Sequence, residues 1–132
     1  MALPAPRPAT PISVVIVDAD DRVRESLAGI LSSTDRVEVL GTAGEPAAAL
    51  ALIRAARPDA IVLDPRLPDM EGAMAFITAI RADLPSVCIL AMSWSDPMEH
   101  AALAAGANGF VRKTYRSSEL IAALMTAIDA CS

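Results

Sequence analysis

The chain has 132 residues, of which 54% are hydrophobic, 20% charged and 3% aromatic, and it carries a formal net charge of −5. This length and apolar content predict one folded domain with a full core and exclude a disordered chain. The acidic balance argues against direct nucleic-acid binding, because phosphate contacts need clustered lysine and arginine. No apolar run is long enough to span a membrane, so no membrane partner is expected.

The first eleven residues, MALPAPRPATP, contain four prolines and lack the apolar core and cleavage site of a signal peptide. We expect a disordered, polyproline-like tail over residues 1–11 and a folded domain over residues 12–132. Cys88 and Cys131 lie far apart without metal-ligand spacing, and Cys88 sits in an apolar strand pattern. We therefore expect Cys88 to be a core thiol and the protein to be soluble and cytoplasmic.

Five short apolar segments alternate with helical patterns along the chain. The strand candidates are residues 13–17, 37–40, 60–63, 87–92 and 109–112. Apolar residues at helical spacing fill the intervals between them. Pro46 suits a first helical turn, Asp96 and Pro97 suit the start of the fourth helix, and Gly106 suits its end. This alternation predicts an α/β fold with a doubly wound parallel sheet covered by helices on both faces.

Polar residues follow the predicted strands at the carboxyl ends, where open parallel sheets bind their ligands. Asp18, Asp64, Ser93 and Lys113 each follow a different strand, so we expect them to converge at one edge of the sheet. Carboxylates bind hard cations such as Mg²⁺, and a carboxylate can also attack phosphorus to form an aspartyl phosphate. A hydroxyl and an ammonium can bind phosphoryl oxygens and offset their charge.

Two segments carry a family resemblance. VLDPRLPDMEG, residues 62–72, resembles the phosphoacceptor segment of response regulator receiver domains, and AAGANGFVRK, residues 104–113, resembles their lysine-containing segment. The resemblance extends over residues 12–130. It implies a flavodoxin-like (βα)5 fold with strand order 2-1-3-4-5. It also implies a protein of two-component signal transduction that works as a switch and is not an enzyme.

The resemblance further implies the roles of individual residues. Asp64 would be the phosphoacceptor for a sensor histidine kinase. Mg²⁺ would be held by Asp18, Asp64 and the backbone carbonyl of Arg66. Ser93 would be the switch hydroxyl, and Lys113 would bind the phosphoryl oxygens.

Phe110 would be the switch aromatic, whose side-chain rotamer reports phosphorylation. Its movement and that of Ser93 would change the surface formed by the fourth helix, the fifth strand and the fifth helix. That surface would bind a downstream protein partner or an output domain. Alanine-rich faces on the fourth and fifth helices would also allow a homodimer.

The acidic stretch after the first strand departs from the family pattern. Ala19 stands where receiver domains place a second acid, and the loss of that carboxylate should weaken Mg²⁺ binding. Asp20 or Asp21 could replace the missing ligand, or these residues could cap the first helix and favour its dipole. The sequence leaves both alternatives open.

Two large side chains near the predicted pocket also depart from the usual pattern. Trp94 follows the switch hydroxyl, where a small residue is usual, and it either covers the pocket mouth or turns outward onto a neighbouring surface. Arg66 follows Asp64 by two residues, and it either pairs with Asp18 or Asp64 or points into solvent. Together with Ala19, these residues should modulate the pocket.

Two alternatives to a phosphoacceptor receiver remain open. The first is a pseudo-receiver that keeps the fold and works as a protein interaction module without phosphorylation, as Ala19 and Trp94 suggest. The second is a small haloacid dehalogenase-like phosphatase, because Asp18-Ala19-Asp20 resembles the Asp-x-Asp nucleophile motif of that family. However, that family expects threonine or valine at the position of Asp21.

Overall fold

The computed structural model describes residues 10–66, 69–94, 99–113 and 116–131. Strands and helices alternate along the whole of the folded chain. The strands are β1 (Ile12–Val17), β2 (Val37–Ala43), β3 (Ala60–Leu63), β4 (Cys88–Ser93) and β5 (Gly109–Arg112). The helices are α1 (Asp21–Ser32), α2 (Pro46–Ala56), α3 (Met70–Asp83), α4 (Glu99–Ala105) and α5 (Ser117–Ala130).

The five strands form one sheet in the order β2-β1-β3-β4-β5, and every neighbouring pair is parallel. The predicted fold class and strand order are therefore confirmed. Strand β2 extends three residues further than the apolar pattern suggested. Gly41, Thr42 and Ala43 continue its pairing with β1 after a register shift between Val14 and Val15.

Both faces of the sheet are buried, as a parallel sheet requires. Because side chains alternate between the two faces of a strand, the sheet carries two separate cores. The first core includes Val15, Val17, Ile53, Ile61, Leu63, Ile77, Ile80 and Ile89. The second core includes Val14, Ile16, Leu27, Leu31, Leu90, Met92, Leu120 and Leu124. The close packing of these cores fixes the strand ends relative to one another.

The helix ends follow the local chemistry of the sequence. Asp20 caps α1 and Asp69 caps α3, each through a carboxylate oxygen that accepts backbone N–H groups of the first turn. Pro46 opens α2 as predicted, and Gly106, with φ +124°, follows α4. The predicted cap at residues 96–97 lies outside the described residues. Within the described part, no helix is long and apolar enough to cross a bilayer.

The two cysteines form a disulfide, so the prediction of a core thiol at Cys88 is wrong. Cys88 begins β4, Cys131 caps the end of α5, and their Cα atoms lie 5.8 Å apart. Helices in such a fold run back against the strand direction. The end of α5 therefore lies beside the start of β4, although the two cysteines are 43 residues apart in sequence.

Arg81 of α3 ties together the loops at the opposite edge of the sheet from the polar strand ends. Its guanidinium donates to the carbonyl oxygens of Val87 at 2.7 Å and Gly106 at 2.9 Å, and it also bonds the side chain of Asn108. The side-chain oxygen Oδ1 of Asn108 accepts the backbone N–H of Ile89 at 2.8 Å. These bonds fix the entry of the chain into β5, and hence the position of the residues that follow that strand.

Candidate functional site

Backbone pairing continues just past the strands and places four polar residues at one edge of the sheet. The N–H of Asp18 donates to β2 at 3.1 Å, and the N–H of Asp64 donates to β1 at 3.0 Å. The N–H of Lys113 donates to the carbonyl of Ser93 at 2.8 Å. These bonds hold Asp18, Asp64, Ser93 and Lys113 in fixed positions at neighbouring strand ends.

Lys113 bridges the two carboxylates. Its Nζ lies 2.7 Å from Asp18 Oδ2 and 3.1 Å from Asp64 Oδ2. The side chains of Lys113 and Asp18 are each 5% exposed, and that of Asp64 is 13% exposed. Charges buried to this extent are weakly screened by solvent, so the lysine compensates strongly for two carboxylates that would otherwise repel each other.

Each of the four carboxylate oxygens in this group has an N–H partner. In addition to the bonds from Lys113, Asp18 Oδ1 accepts the N–H of Asp20 at 2.9 Å, and Asp64 Oδ1 accepts the N–H of Arg66 at 2.9 Å. A carboxylate oxygen offers about two acceptor positions, so each oxygen keeps capacity for a further ligand. These hydrogen bonds fix both carboxylates and still leave their oxygens able to accept a bond from a ligand.

Arg66 contributes a second cation beside Asp64. Its Nε lies 3.8 Å from Asp64 Oδ1, and its side chain is 50% exposed. The sequence predicted either an ion pair or a solvent-exposed arginine at this position. The Arg66 guanidinium is paired with Asp64 and also reaches solvent, so each alternative is partly correct. Two acidic and two basic side chains meet here, so their formal charges cancel. The exposed Arg66–Asp64 pair is weaker than the buried pairs of Lys113.

Trp94 closes one side of the pocket and does not turn away from it. The Lys113 ammonium lies 5.9 Å from the centroid of the indole ring, within the range of a cation–π interaction. The tryptophan residue is 39% exposed. The cavity beside Asp64 measures about 350 Å³ and is lined by Asp18, Ala19, Asp20, Val23, Asp64, Arg66, Trp94 and Lys113.

The residues that follow β1 have different roles. Ala19 lines the cavity and brings no ligand atom on its side chain. Asp20 Oδ1 accepts the N–H groups of Arg22 at 2.9 Å and of Val23 at 3.3 Å, so the capping alternative is confirmed for Asp20. Within the described residues, no group of three or more His, Cys, Asp or Glu side chains is arranged to hold a metal ion.

The two residues predicted to respond to phosphorylation occupy neighbouring strands. Ser93 is the last residue of β4 and is fully buried. Phe110 lies on β5, pairs in register with Ala91 and is half-buried against the first core. Neither residue is among those that line the cavity beside Asp64.

Sequence reasoning missed Arg24. Its Nη1 donates to the carbonyl oxygen of Asp18 at 2.6 Å, and its other terminal nitrogen pairs with the Asp21 carboxylate. The guanidinium lies against Gly44, where any Cβ would collide with it. The i, i+3 spacing of Asp21 and Arg24 was the available signal, since such pairs face each other on a helix. The bond to Asp18 depends on tertiary structure.

Comparison with known proteins identifies the family. The family model of the response regulator receiver domain matches residues 14–125 of the chain. The chain is 36% identical over 115 residues to the DNA-binding transcriptional activator DevR/DosR of Mycobacterium tuberculosis, covering 86% of this chain and 52% of that protein. It is 39% identical over 85 residues to a protein-glutamate methylesterase/protein-glutamine glutaminase of Anaeromyxobacter dehalogenans, covering 64% of this chain and 23% of that one.

Solved structures give the same result. The signal receiver domain of NarL from Mycobacterium tuberculosis has a TM-score of 0.79 and 35% sequence identity, and the match covers 90% of this chain and 97% of that domain. The chain belongs to the response regulator receiver family and is a module of two-component signal transduction. The matches give no support to the phosphatase alternative.

The chain spans about half the length of the transcriptional regulators it matches and less of the methylesterase. The relationship therefore concerns one part of each of these longer proteins. The activities in their names, which are transcriptional activation and ester hydrolysis, are properties of those proteins as wholes.

Proposed function

We propose that Asp64 accepts a phosphoryl group from a sensor histidine kinase. The main support is the position of the Lys113 ammonium, which contacts Oδ2 of both Asp18 and Asp64. It places a buried cation beside the proposed nucleophile, where charge would develop during transfer. The Asp64 carboxylate also borders a cavity, through which a donor would approach.

In the proposed step, an Asp64 carboxylate oxygen attacks the phosphorus of a phosphohistidine. An O–P bond forms, the P–N bond breaks, and the kinase histidine leaves with the electron pair and takes up a proton. Lys113 would pass from Asp64 Oδ2 to a phosphoryl oxygen while keeping its bond to Asp18. The Ser93 hydroxyl would bind a second phosphoryl oxygen, and Arg66 would offset part of the added charge.

Receiver domains generally use Mg²⁺, and the residues present suit that ion. Asp18, Asp64 and the backbone carbonyl of Arg66 offer hard oxygen donors, and Mg²⁺ often keeps several waters and takes one or two carboxylates from the protein. When bound, it would neutralise charge on the transferred group. We expect weak binding, because Ala19 supplies no ligand, Asp20 caps α1, and two cations already compensate the carboxylates.

The output would act through the face formed by α4, β5 and α5. A groove of about 710 Å³ lies on this face, which we call the β5–α5 groove; its lining includes Phe110, Arg112, Glu119, Ala123, Ala127 and Ala130. Movement of Phe110 on phosphorylation would change one wall of the groove. The occupant would be a downstream protein, an output domain of a longer polypeptide or a second copy of the chain. We place this signalling in the cytoplasm, where sensor kinases act.

A second candidate function is a phosphorylation-independent interaction module. Ala19 and the cancelled charges around Asp64 favour it, because both reduce the attraction of the pocket for Mg²⁺. In that case the receiver fold and the β5–α5 groove would bind partners without a change at Asp64.

Labelling with a small acyl phosphate and Mg²⁺, followed by intact-mass measurement, tests the proposal. We expect the chain to gain one phosphoryl group and Asp64→Asn to gain none. Asp69→Asn is the matched control, because Asp69 is an exposed helix cap and asparagine caps equally well. Labelling that survives in Asp64→Asn contradicts the proposal. No gain at any Mg²⁺ concentration favours the second candidate.

A further inference from the structure

We propose that Cys88 and Cys131 form a thiol–disulfide exchange site for a low-molecular-weight thiol and its disulfide, such as reduced and oxidised glutathione. The redox state of the pair would fix or release the last turn of α5. This proposal rests on the disulfide and the packing of α5, and it does not depend on phosphorylation of Asp64.

The two cysteines differ in their access to solvent. Cys88 begins β4, is 4% exposed and belongs to the second core. Cys131 follows the last residue of α5 and is half-buried at the edge of that core. An attacking thiolate needs access to the sulfur that it meets. Exchange should therefore begin at Cys131.

Reduction of the disulfide takes two exchange steps. A glutathione thiolate attacks Cys131 Sγ, a new S–S bond forms, and the Cys88 thiolate leaves and takes up a proton. A second glutathione thiolate then attacks the glutathione sulfur of the mixed disulfide, which releases oxidised glutathione and the Cys131 thiolate. Two molecules of reduced glutathione are oxidised to one disulfide while the protein disulfide becomes two thiols.

The disulfide holds a turn that has few other anchors. The inner face of α5 is buried at Leu120, Leu124 and Ile128. Beyond Ile128, the described residues provide the backbone bond from the Cys131 N–H to the Ile128 carbonyl oxygen at 3.0 Å and an exposed ion pair between Asp129 and Arg36 at 3.8 Å. Exposed ion pairs contribute little. Reduction should therefore loosen the last turn while the first two turns stay packed.

The same turn forms part of the wall of the β5–α5 groove. Ala127 and Ala130 line the groove, and Ala127 also lies close to Gly109 of β5. A loosened last turn would change the width of the groove at that end. In reducing compartments, disulfides are usually transient or redox-sensing. The Cys88–Cys131 disulfide joins a buried cysteine to an accessible one at the end of α5, which suits a redox-sensing role.

The test uses the full chain in buffers with defined ratios of reduced to oxidised glutathione. Alkylation and intact mass should show a transition from no adduct to two adducts as the reduced form increases. Hydrogen exchange should show that last-turn amides of α5 exchange about tenfold faster after reduction, with smaller changes around Leu120. Cys131→Ser should show the fast last-turn exchange in every buffer.

Two results would overturn the proposal. One is alkylation of both cysteines at every ratio, including oxidised glutathione alone. The other is equal last-turn exchange in the oxidised and reduced chains. Because Cys88→Ala alters the core, Cys131→Ser is the decisive variant, and a native far-UV spectrum verifies its fold. Asp64 labelling in the same samples reports on the proposed function separately.

Discussion

Lys113 and Asp18 form a buried ion pair at 2.7 Å. Lys113 follows the outermost strand β5, and Asp18 follows β1. Strands β3 and β4 lie between the two. The pair therefore connects the ends of non-adjacent strands, and its energy depends on the sheet as a whole. Arg54 and Asp83 form an ion pair of the same length, 2.7 Å, with side chains 58% and 41% exposed. The two pairs differ in burial, and Lys113 has a second acidic partner in Asp64.

A double-mutant cycle compares these pairs. We expect Lys113→Met and Asp18→Asn to show a coupling of about 2 kcal/mol in the free energy of unfolding, since buried charges are weakly screened. Arg54→Met and Asp83→Asn should couple by less than about 0.5 kcal/mol. Urea denaturation of the four variants and the two doubles measures both values. Equal couplings would show that burial does not control the strength of the Lys113 pair.

Gly44 gives Arg24 the room to reach the Asp18 carbonyl. Gly44→Ala should lower the free energy of unfolding by about 1 kcal/mol, because the new methyl group displaces the guanidinium from its hydrogen bond to the Asp18 carbonyl oxygen. Gly29 is the matched control, since it lies inside α1 with open space around its Cβ position. Gly29→Ala should raise stability by about 0.5–1 kcal/mol through helix propensity. Thermal or urea unfolding would contradict this account if both variants changed stability in the same direction.

Ala19 is the residue that most directly limits a metal at the site. Ala19→Asp should tighten Mg²⁺ binding by at least about tenfold, because it adds a carboxylate beside Asp18 and Asp64. Trp94 is the only tryptophan in the sequence and lines the cavity, so its fluorescence can follow the titration. Ala19→Asn provides a side chain of equal size without charge and should give a smaller gain. Equal affinities for all three chains would contradict the assignment.

Much of the fold was predictable because apolar runs of strand length alternate with helical spacing. The boundaries were less accurate where local propensity and pairing disagree. Gly41 and Thr42 read as a strand end, yet their pairing with β1 extends β2 to Ala43. The Cys88–Cys131 bond was missed for a related reason, because it depends on how far α5 runs back across the sheet.

The convergence of Asp18, Asp64 and Lys113 followed from their positions after three parallel strands. The directions of the long side chains did not follow from sequence. The sequence left open whether Trp94 covers the cavity or turns away from it, and its ring lies within cation–π range of Lys113, a residue 19 positions later. The family roles of Ser93 and Phe110 remain predictions.

The central claim is that Asp64 itself carries the phosphoryl group. Borohydride reduction of the chain labelled with an acyl phosphate converts an aspartyl phosphate to homoserine, and peptide mass spectrometry locates the changed residue. We predict homoserine at position 64 and unchanged aspartate at positions 18, 20 and 69. Homoserine at another position, or aspartate at position 64 in a chain that has gained a phosphoryl group, would contradict the account.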